Sequence, residues 1–206
     1  MKIIQAQHNQ LYHFFFRYYI AFLLKKHFQR VDIYGKYIAK DKSILLIGNH
    51  ISWWDGFFAY HLNRKIFHKD AHVMMLREQL IKRKFLSKIG AFSIDPGKRN
   101  MINSIQYGNN ILKNPKNLLL LFPQGEIRSM HQHQLMFEEG WIKILNKIDQ
   151  DVQIIFMVNL IDYFSNRKPI LSIYFKKISE ERNITIDFLQ SSYNEFLKEC
   201  IDSQSE

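Results

Sequence analysis

Short apolar runs alternate with stretches of helical periodicity along most of the chain. Runs of strand length indicate β-strands at residues 31–34, 44–47, 72–75, 91–94, 118–122, 152–158 and 170–175. Apolar residues at helical spacing indicate helices at residues 53–62, 77–88, 100–112, 137–148 and about 185–201. This alternation predicts a single α/β domain built on a largely parallel mixed sheet that is flanked by helices.

Two of the predicted strands, residues 44–47 and 118–122, are apolar at every position. Strands that are buried on both faces have this composition, so we expect both to lie in the centre of the sheet. Polar residues follow each of them, in a first loop (residues 48–56) and a second loop (residues 123–129). In α/β sheets, ligands bind beyond the carboxyl ends of the strands, where such loops converge.

Residues 1–30 are predicted to form an amphipathic helix with an aromatic face, separate from a main domain at residues 31–206. Its basic end carries Lys25, Lys26, His27 and Arg30. Aromatic side chains beside cations suit the interface of an anionic membrane. The same aromatic residues also suit a helix that packs on the domain as core, and composition favours neither interpretation.

The overall composition permits one domain with a substantial core, since the chain has 206 residues and 47% of them are hydrophobic. The net charge of +10 predicts attraction to anions, which include nucleic acid, lipid headgroups and phosphorylated cofactors. The single cysteine, Cys200, cannot form an internal disulfide. The N-terminus lacks a secretory signal, and the longest apolar candidate, residues 11–24, is interrupted by His13 and Arg17. We therefore expect that the chain does not cross a membrane.

The first loop contains His50 and, five residues later, Asp55. Five residues turn a regular helix by about 500°, so the two side chains would not share a helix face. They can meet if His50 lies in the loop and Asp55 in the first helical turn, with Ser52 as the N-cap. An aspartate on one imidazole nitrogen leaves the other free to accept a proton. The alternative is that Asp55 only caps the helix and His50 makes a structural hydrogen bond.

The second loop offers groups that could bind an anion. Gly125 allows the backbone to approach a ligand closely, and Arg128 could hold a phosphate or carboxylate. An ordinary turn with a solvated arginine would have the same sequence, so this loop alone does not identify a site.

Together the two loops resemble the glycerolipid acyltransferases typified by 1-acylglycerol-3-phosphate acyltransferase. Asn49, His50 and Asp55 match that family's histidine, four residues and aspartate motif. Its Phe-Pro-Glu-Gly-Thr-Arg-Ser block is similar to Phe-Pro-Gln-Gly at residues 122–125. An intervening Gly-x-x-Phe-Ile-x-Arg block is similar to residues 90–95. The resemblance extends over roughly residues 31–175.

The departures from the family pattern fall on residues associated with the acceptor. Gln124 stands in place of the usual glutamate, and Arg128 arrives one residue late. Ser93 stands where phenylalanine is usual, and Pro96 replaces an arginine, with Lys98 and Arg99 just beyond.

The resemblance implies an enzyme of lipid metabolism and phospholipid biosynthesis that transfers a fatty acyl group. The donor would be a thioester of coenzyme A or acyl carrier protein, and the acceptor a hydroxyl of a lysophospholipid, glycerolipid or glycolipid. His50 would be the general base, oriented by Asp55. The substrate-binding residues implied are Asn49, Pro123, Gln124, Gly125 and Arg128.

No bound cofactor or metal is expected for this chemistry, and His131 and His133 are interpreted as loop histidines. The resemblance also favours a peripheral protein on the cytoplasmic face of the cell membrane. A non-catalytic lipid-binding protein with the same fold is the main alternative. A nucleic-acid binder is suggested by charge alone, and the sequence contains no recognisable nucleic-acid-binding module, so we expect no such partner.

Overall fold

The structure, a computed structural model, describes residues 3–36, 41–95, 101–138, 140, 152–178 and 185–205. Within these ranges it contains seven strands and five α-helices. In chain order they are α1 (Gln10–His27), β1 (Arg30–Tyr34), β2 (Ser43–Gly48), α2 (Asp55–Leu62), β3 (Asp70–Leu76), α3 (Arg77–Lys82), β4 (Ala91–Ile94), α4 (Met101–Leu112), β5 (Asn117–Leu121), β6 (Val152–Asp162), β7 (Ile170–Lys177) and α5 (Ile186–Asp202). A π-helical turn, Asn63–Phe67, follows α2, and a 3-10 helix, Lys84–Lys88, precedes β4.

The seven strands form one sheet in the order β1-β7-β6-β2-β5-β3-β4. The five strands from β6 to β4 are mutually parallel, whereas β7 runs antiparallel to β6, and β1 is parallel to β7. The predicted fold, a single α/β domain with a mostly parallel mixed sheet, is therefore confirmed. Strands β2 and β5 are neighbours, and Ile47 lies opposite Leu121. The loops after these two strands consequently emerge side by side.

Both faces of the two central strands are buried, which explains their unbroken apolar sequences. Leu45 and Ile47 of β2 point into a core cluster that includes residues of α4 and α5. Ile44 and Leu46, between them, point into a second cluster with residues of α1 and α2. The sheet thus separates two apolar layers, and α1 and α2 share one of them.

The N-terminal helix α1 packs on the sheet along one face only. Phe16, Ile20 and Leu24 are buried. An aromatic face, which we define as Leu11, Phe14, Phe15, Tyr18 and Phe22, is exposed instead. Because both faces of α1 are rich in apolar side chains, the predicted amphipathic character is not confirmed. The buried residues show that α1 contributes to the core, and the interpretation of its aromatic side chains as a membrane interface stays a prediction.

Residues 3–9 were predicted to be helical, and this prediction is wrong. They run extended along β4 and the preceding 3-10 helix. Ile4 donates its N–H to the Ser93 hydroxyl at 2.8 Å, and Ser93 returns its own N–H to the Ile4 carbonyl at 2.9 Å. Since β4 lies at the edge of the sheet, its backbone groups are open to such pairing. The division of the chain at residue 30 stays a prediction. In the structure, α1 packs in the same core layer as α2.

Three histidines join this N-terminal segment to the sheet. His72 Nδ1 lies 3.0 Å from the Asp70 carbonyl, which can only accept, so Nδ1 carries the proton. His72 Nε2 therefore accepts from His8 Nε2 at 3.1 Å, and His8 Nδ1 accepts from His13 Nε2 at 3.0 Å. Burial lowers the pKa of all three rings, that of His72 to about 4, with His8 as the next cause for His72. The chain of hydrogen bonds thus consists of neutral rings at pH 7.

The single helix predicted at residues 77–88 is wrong, because α3 ends at Lys82 and a 3-10 helix follows Arg83. The register between β3 and β4 explains the break. Ala91 pairs with Val73, only three residues before β3 ends, so the connection returns by about 10 Å. A continuous helix of this length would extend about 18 Å.

Other predicted boundaries shift by a few residues. Strand β6 continues to Asp162, β3 begins at Asp70, and β5 ends at Leu121, one residue before Phe122. Most of the helix predicted at residues 137–148 lies outside the described residues, and residues 137 and 138 are not helical. In the part of the chain that the structure covers, we find no helix with both the length and the apolar character needed to span a bilayer.

Candidate active site

The first and second loops are tied together through the backbone of His50. Its N–H donates to Gln124 Oε1 at 2.6 Å, and its carbonyl accepts the Arg128 backbone N–H at 2.8 Å. Both contacts depend on the adjacency of β2 and β5. The structure therefore brings the two loops to one place at the carboxyl edge of the sheet.

The His50 and Asp55 side chains meet in the first loop. His50 Nδ1 lies 2.8 Å from Asp55 Oδ2, with His50 in the loop and Asp55 as the first residue of α2. A carboxylate can only accept here, so Nδ1 donates and Nε2 is left with its lone pair. Among the described residues, Nε2 has no hydrogen-bond partner. The His50 side chain is 23% exposed, whereas that of Asp55 is fully buried.

Asp55 also organises the loop that carries His50. Its Oδ2 accepts the backbone N–H groups of Ile51 and Ser52 at 2.7 and 2.8 Å. Its Oδ1 accepts from the Ser52 hydroxyl at 3.2 Å. Ser52 was expected to be the N-cap of α2, but the cap position is occupied by Trp54. The Ser52 hydroxyl instead accepts the Trp54 N–H, because α2 begins later than predicted.

An aromatic ring supports the His50 imidazole from one side. Phe122, the residue after β5, stacks on it with the ring centroids 4.4 Å apart and the planes 14° from parallel. Hydrogen bonding to Asp55 and stacking on Phe122 together fix the direction of Nε2. An imidazole held in this way can accept a proton from a hydroxyl group placed at its open nitrogen.

Asn49, which precedes His50, is fully engaged with β6. Its Oδ1 accepts the Asn159 N–H at 2.8 Å, and its Nδ2 donates to the Asn159 carbonyl at 2.9 Å. The two bonds clamp the start of the first loop against the neighbouring strand. The expected role of Asn49 in substrate binding stays a prediction, and its structural role is clear from these bonds.

The second loop places a buried amide beside His50. Pro123 and Gln124 are buried, whereas Gly125 and Arg128 are exposed. Gly125 has φ of +71°, a conformation that glycine adopts without strain. Because a backbone N–H occupies Gln124 Oε1, the orientation of the amide is determined. Gln124 Nε2 is buried and has no partner among the described residues.

The Arg128 side chain forms an ion pair with Glu126. Both side chains are more than half exposed, so the pair contributes little to stability. Arg128 reaches the His50 loop through its backbone, and no described contact joins its guanidinium to His50. Its role as an anion-binding residue stays a prediction. Pro96, Lys98 and Arg99 lie outside the described residues.

The sequence profile of the acyltransferase family matches residues 30–158, well over half of the 206 residues. The chain belongs to the acyltransferase family. This is the family of 1-acylglycerol-3-phosphate acyltransferase-like enzymes, so the resemblance carried by the two loops is confirmed. The matched region contains β1 to β5, both loops and the first half of β6. A search among curated proteins found no match.

Membership of this family supports an acyltransferase active in lipid metabolism. The hydrogen-bonded pair of His50 and Asp55, which we call the dyad, lies within the matched residues. Strand β7 and helix α5, which complete the sheet and cover one of its faces, lie after them. The fold around the dyad therefore includes two elements, β7 and α5, that lie outside the residues matched by the family profile.

The two tryptophans of the first loop, Trp53 and Trp54, have different surroundings. Trp54 packs edge-on against His27 and Phe28 at centroid distances of 5.3 and 6.0 Å, which joins the end of α1 to the first loop. Trp53 is 61% exposed next to it. The sequence could not separate these roles, because adjacent residues of one type give no sign of which one turns inward.

The remaining candidate groups do not join the dyad. His131 and His133 are exposed in the loop after Arg128. Within the described ranges, no group of three or more histidine, cysteine or acidic side chains is arranged to hold a metal ion. Burial raises the pKa of the Cys200 thiol to about 12, and the charge of Glu199 adds to the rise. This thiol is therefore not a nucleophile at neutral pH.

Sequence analysis did not anticipate the partners that hold the dyad in place. Asn159 lies 110 residues from Asn49, and Gln124 lies 74 residues from His50. The substitution of Gln124 in an otherwise matching motif was noticed, but its bond to the His50 backbone depends on strand pairing. An asparagine within an apolar strand, as at Asn159, is the one local signal that could have indicated such a contact.

Proposed function

We propose that the acyltransferase transfers a fatty acyl group from an acyl thioester to a hydroxyl of a lipid-like acceptor, with His50 as the general base. The observation that carries this proposal is the 2.8 Å bond between His50 Nδ1 and the buried Asp55 carboxylate, with Nε2 left open. This arrangement suits a proton acceptor, because Nδ1 is held by the carboxylate and Nε2 is free to bind a proton. General base catalysis of this kind contributes about 10²–10⁴-fold to the rate.

In the proposed reaction, His50 Nε2 takes the proton from the acceptor hydroxyl while the oxygen of that hydroxyl attacks the thioester carbonyl. The carbon–sulfur bond then breaks, and the departing thiolate receives the proton from the imidazolium. Asp55 stabilises the imidazolium because its carboxylate lies against Nδ1 throughout. The donor would be a thioester of coenzyme A or of acyl carrier protein, and it would act as a substrate rather than as a resident cofactor.

For substrate binding we propose the second loop. Gln124 Nε2 is an unpaired donor beside the His50 backbone, and it suits an oxygen atom of the substrate. Gly125 leaves space for close approach of a ligand to the backbone. Pro123 shapes the turn, and Arg128 would exchange its exposed partner Glu126 for an anionic group of the substrate.

We also propose that the protein binds an anionic membrane surface peripherally through α1. The exposed aromatic face supports this, since Leu11 is 79% and Phe14 is 63% exposed. Lys25, Lys26 and His27 occupy the last turn of the same helix. Each basic residue close to anionic lipid contributes about 1 kcal/mol. His27 contacts Trp54, so a membrane bound at this end of α1 would lie beside the first loop.

The activity is tested with purified protein and an acyl-coenzyme A by measuring release of the free thiol. Lysophosphatidic acid, lysophosphatidylcholine and a glycolipid serve as acceptors, and the products are identified by mass spectrometry. A parallel series uses acyl carrier protein as the donor. We expect thiol release that depends on one acceptor class, and its loss in His50→Ala with an unchanged melting temperature. Full activity of His50→Ala would refute the proposed base.

Membrane binding is tested by flotation with vesicles that contain increasing fractions of anionic lipid. A double variant of the aromatic face, Phe14→Ser with Phe22→Ser, should bind less. The matched control replaces Ile102 and Met136, two exposed apolar residues that lie outside α1, with serine. Equal loss in both variants would contradict a specific role for α1. Vesicle binding without thiol release for any acceptor would favour the non-catalytic lipid-binding alternative.

A further inference from the structure

The C-terminal helix α5 lies after the residues matched by the family profile, yet it places one side chain beneath the first loop. Tyr193 is completely buried and packs edge-on against Phe156 of β6, with the ring centroids 5.0 Å apart. The sequence suggests only that this tyrosine belongs to the apolar face of α5. Its hydroxyl, however, is a polar group at the centre of the protein and requires partners.

The Tyr193 hydroxyl donates to the Met157 carbonyl at 2.6 Å. Met157 lies opposite Gly48, the last residue of β2, in the parallel pairing of β2 and β6. The hydroxyl therefore lies at the point where β2 ends and the first loop begins. Asn49 and His50 are the next two residues of the chain.

The electrostatic surroundings of Tyr193 include the first loop itself. Burial raises the pKa of this hydroxyl well above its usual range, and the nearby Cys200 adds to the rise. The Asn49 backbone N–H lowers this pKa in part, and the charge of Asp55 contributes a smaller increase. The hydroxyl thus stays protonated and donates to the Met157 carbonyl.

Asn49 is held by the same strand that accepts the Tyr193 hydroxyl. Its side chain makes two hydrogen bonds to the backbone of Asn159, which lies two residues after Met157 in β6. The residue that follows is His50, whose N–H and carbonyl are both bonded to the second loop. A shift of Asn49 would pass directly to the imidazole, because one peptide unit separates the two residues.

We propose that Tyr193 is a positioning residue for His50, because its bond to Met157 holds the part of β6 to which Asn49, the residue before His50, is hydrogen-bonded. This inference rests on the proposed function, since it assigns Tyr193 a part in the chemistry of the dyad. It also gives α5, outside the matched region, a role in acyl transfer.

The test compares Tyr193→Phe, which removes only the hydroxyl, with Tyr174→Phe as the matched control. Tyr174 also hydrogen-bonds through its hydroxyl, to Gln204 at 2.6 Å, but it lies in β7 away from the dyad. We expect kcat of Tyr193→Phe to fall roughly tenfold with KM for the thioester and the acceptor unchanged, because misplaced reacting groups lose rate rather than affinity. Tyr174→Phe should keep the wild-type kcat.

Melting temperatures of both variants are measured alongside, and the kinetics are repeated in the cold if Tyr193→Phe melts near the assay temperature. A wild-type kcat for Tyr193→Phe, whatever its melting temperature, would overturn the inference and leave the hydroxyl a purely structural role. In a His50→Ala background, Tyr193→Phe should cause no further loss. If His50→Ala itself keeps full activity, the proposed function fails, and that result is distinct from a failure confined to Tyr193.

Discussion

Replacing Asp55 with asparagine would remove one negative charge from the first loop with almost no change of shape. Two backbone N–H groups, from Ile51 and Ser52, point at Asp55 Oδ2. An asparagine must therefore place its oxygen at that position and its NH₂ group toward the Ser52 hydroxyl, which can accept. The oxygen would still face His50 Nδ1, so the tautomer of the imidazole should be retained. The variant isolates the contribution of the charge.

The size of that contribution follows from the geometry. The Asp55 carboxylate and an imidazolium at His50 are separated by 2.8 Å between nitrogen and oxygen, which puts the centres of charge about 4 Å apart. Such a pair gains about 4 kcal/mol at an effective dielectric constant of about 20. Partial exposure of His50 reduces this value by solvent screening. We therefore expect kcat to fall about 10²–10³-fold, since each 1.36 kcal/mol is worth a factor of about ten.

The assay is thiol release at saturating acceptor, together with thermal unfolding. Asp55→Asn should lose about 1–3 kcal/mol of stability, because hydrogen bonds to a charged acceptor become neutral ones. Asp55→Ala should lose more, since it leaves buried N–H groups without an acceptor. A double variant with His50→Ala should be no slower than His50→Ala alone, because the carboxylate acts through the imidazole. A kcat for Asp55→Asn within twofold of wild type would refute this reasoning and reduce Asp55 to a helix-terminal cap.

Three further predictions concern the acceptor site and the fold. Gln124→Glu keeps the oxygen that accepts the His50 N–H but replaces the unpaired Nε2 donor with a negative charge. KM for the acyl acceptor should therefore rise roughly tenfold in thiol-release assays, more than KM for the thioester. Equal changes in both KM values would contradict this. Burial lowers the pKa of His72 to about 4, so the unfolded state binds a proton below pH 6.5 that the folded state does not. The contribution of His72 to the free energy of unfolding is therefore fully present above pH 6.5 and should fall by roughly 3 kcal/mol as the pH drops to 4. Denaturant unfolding of His72→Asn should show a flatter pH dependence, and an unchanged dependence would argue against His72 as its source. Gly90→Ala should lower stability by about 2 kcal/mol or more, because φ is +104° and a Cβ would lie 2.0 Å from a carbonyl oxygen of β3, whereas Gly56→Ala meets nothing within 4 Å and should not destabilise.

The sequence was sufficient to place the dyad because its determinants are local. Two runs of apolar residues identify strands that are buried on both faces, and polar residues immediately after them must lie at the edge of the sheet. His50 and Asp55 then meet through a loop and one helical turn, which needs no information from the rest of the chain. The spacing of five residues excluded a shared helix face and left two arrangements open, a contact across the loop and the first helical turn or a purely capping Asp55; the contact is observed.

The faces of α1 could not be predicted for a different reason. Aromatic or aliphatic residues occupy most positions from Leu11 to Leu24, so no polar stripe marks the side that faces solvent. The buried set is selected by contact with α2 and the sheet, and by the stacking of Phe16 on Phe85 of the 3-10 helix, with the ring centroids 5.7 Å apart. Such contacts depend on where distant segments lie. The break at Arg83 likewise follows from the pairing of β3 with β4 rather than from the residues around it.

The contacts within the site explain why the departures from the family motif fall on residues associated with the acceptor and spare His50 and Asp55. The dyad is held largely by hydrogen bonds to backbone groups. The Ile51 and Ser52 N–H groups donate to Asp55, and the Asn159 backbone donates to Asn49 Oδ1 and accepts from Asn49 Nδ2. A change to any residue of this set would disturb several bonds at once. Gln124 Nε2 and the exposed pair of Arg128 with Glu126 make no described contact with the imidazole. A substitution that changes these groups and keeps the Gln124 oxygen, which accepts the His50 N–H, alters what the site can bind and leaves its proton acceptor in place. If this argument holds, exchanging Gln124 for glutamate should shift acceptor preference while the dependence of the rate on His50 persists, and a variant that loses both together would show that the two loops cannot vary independently.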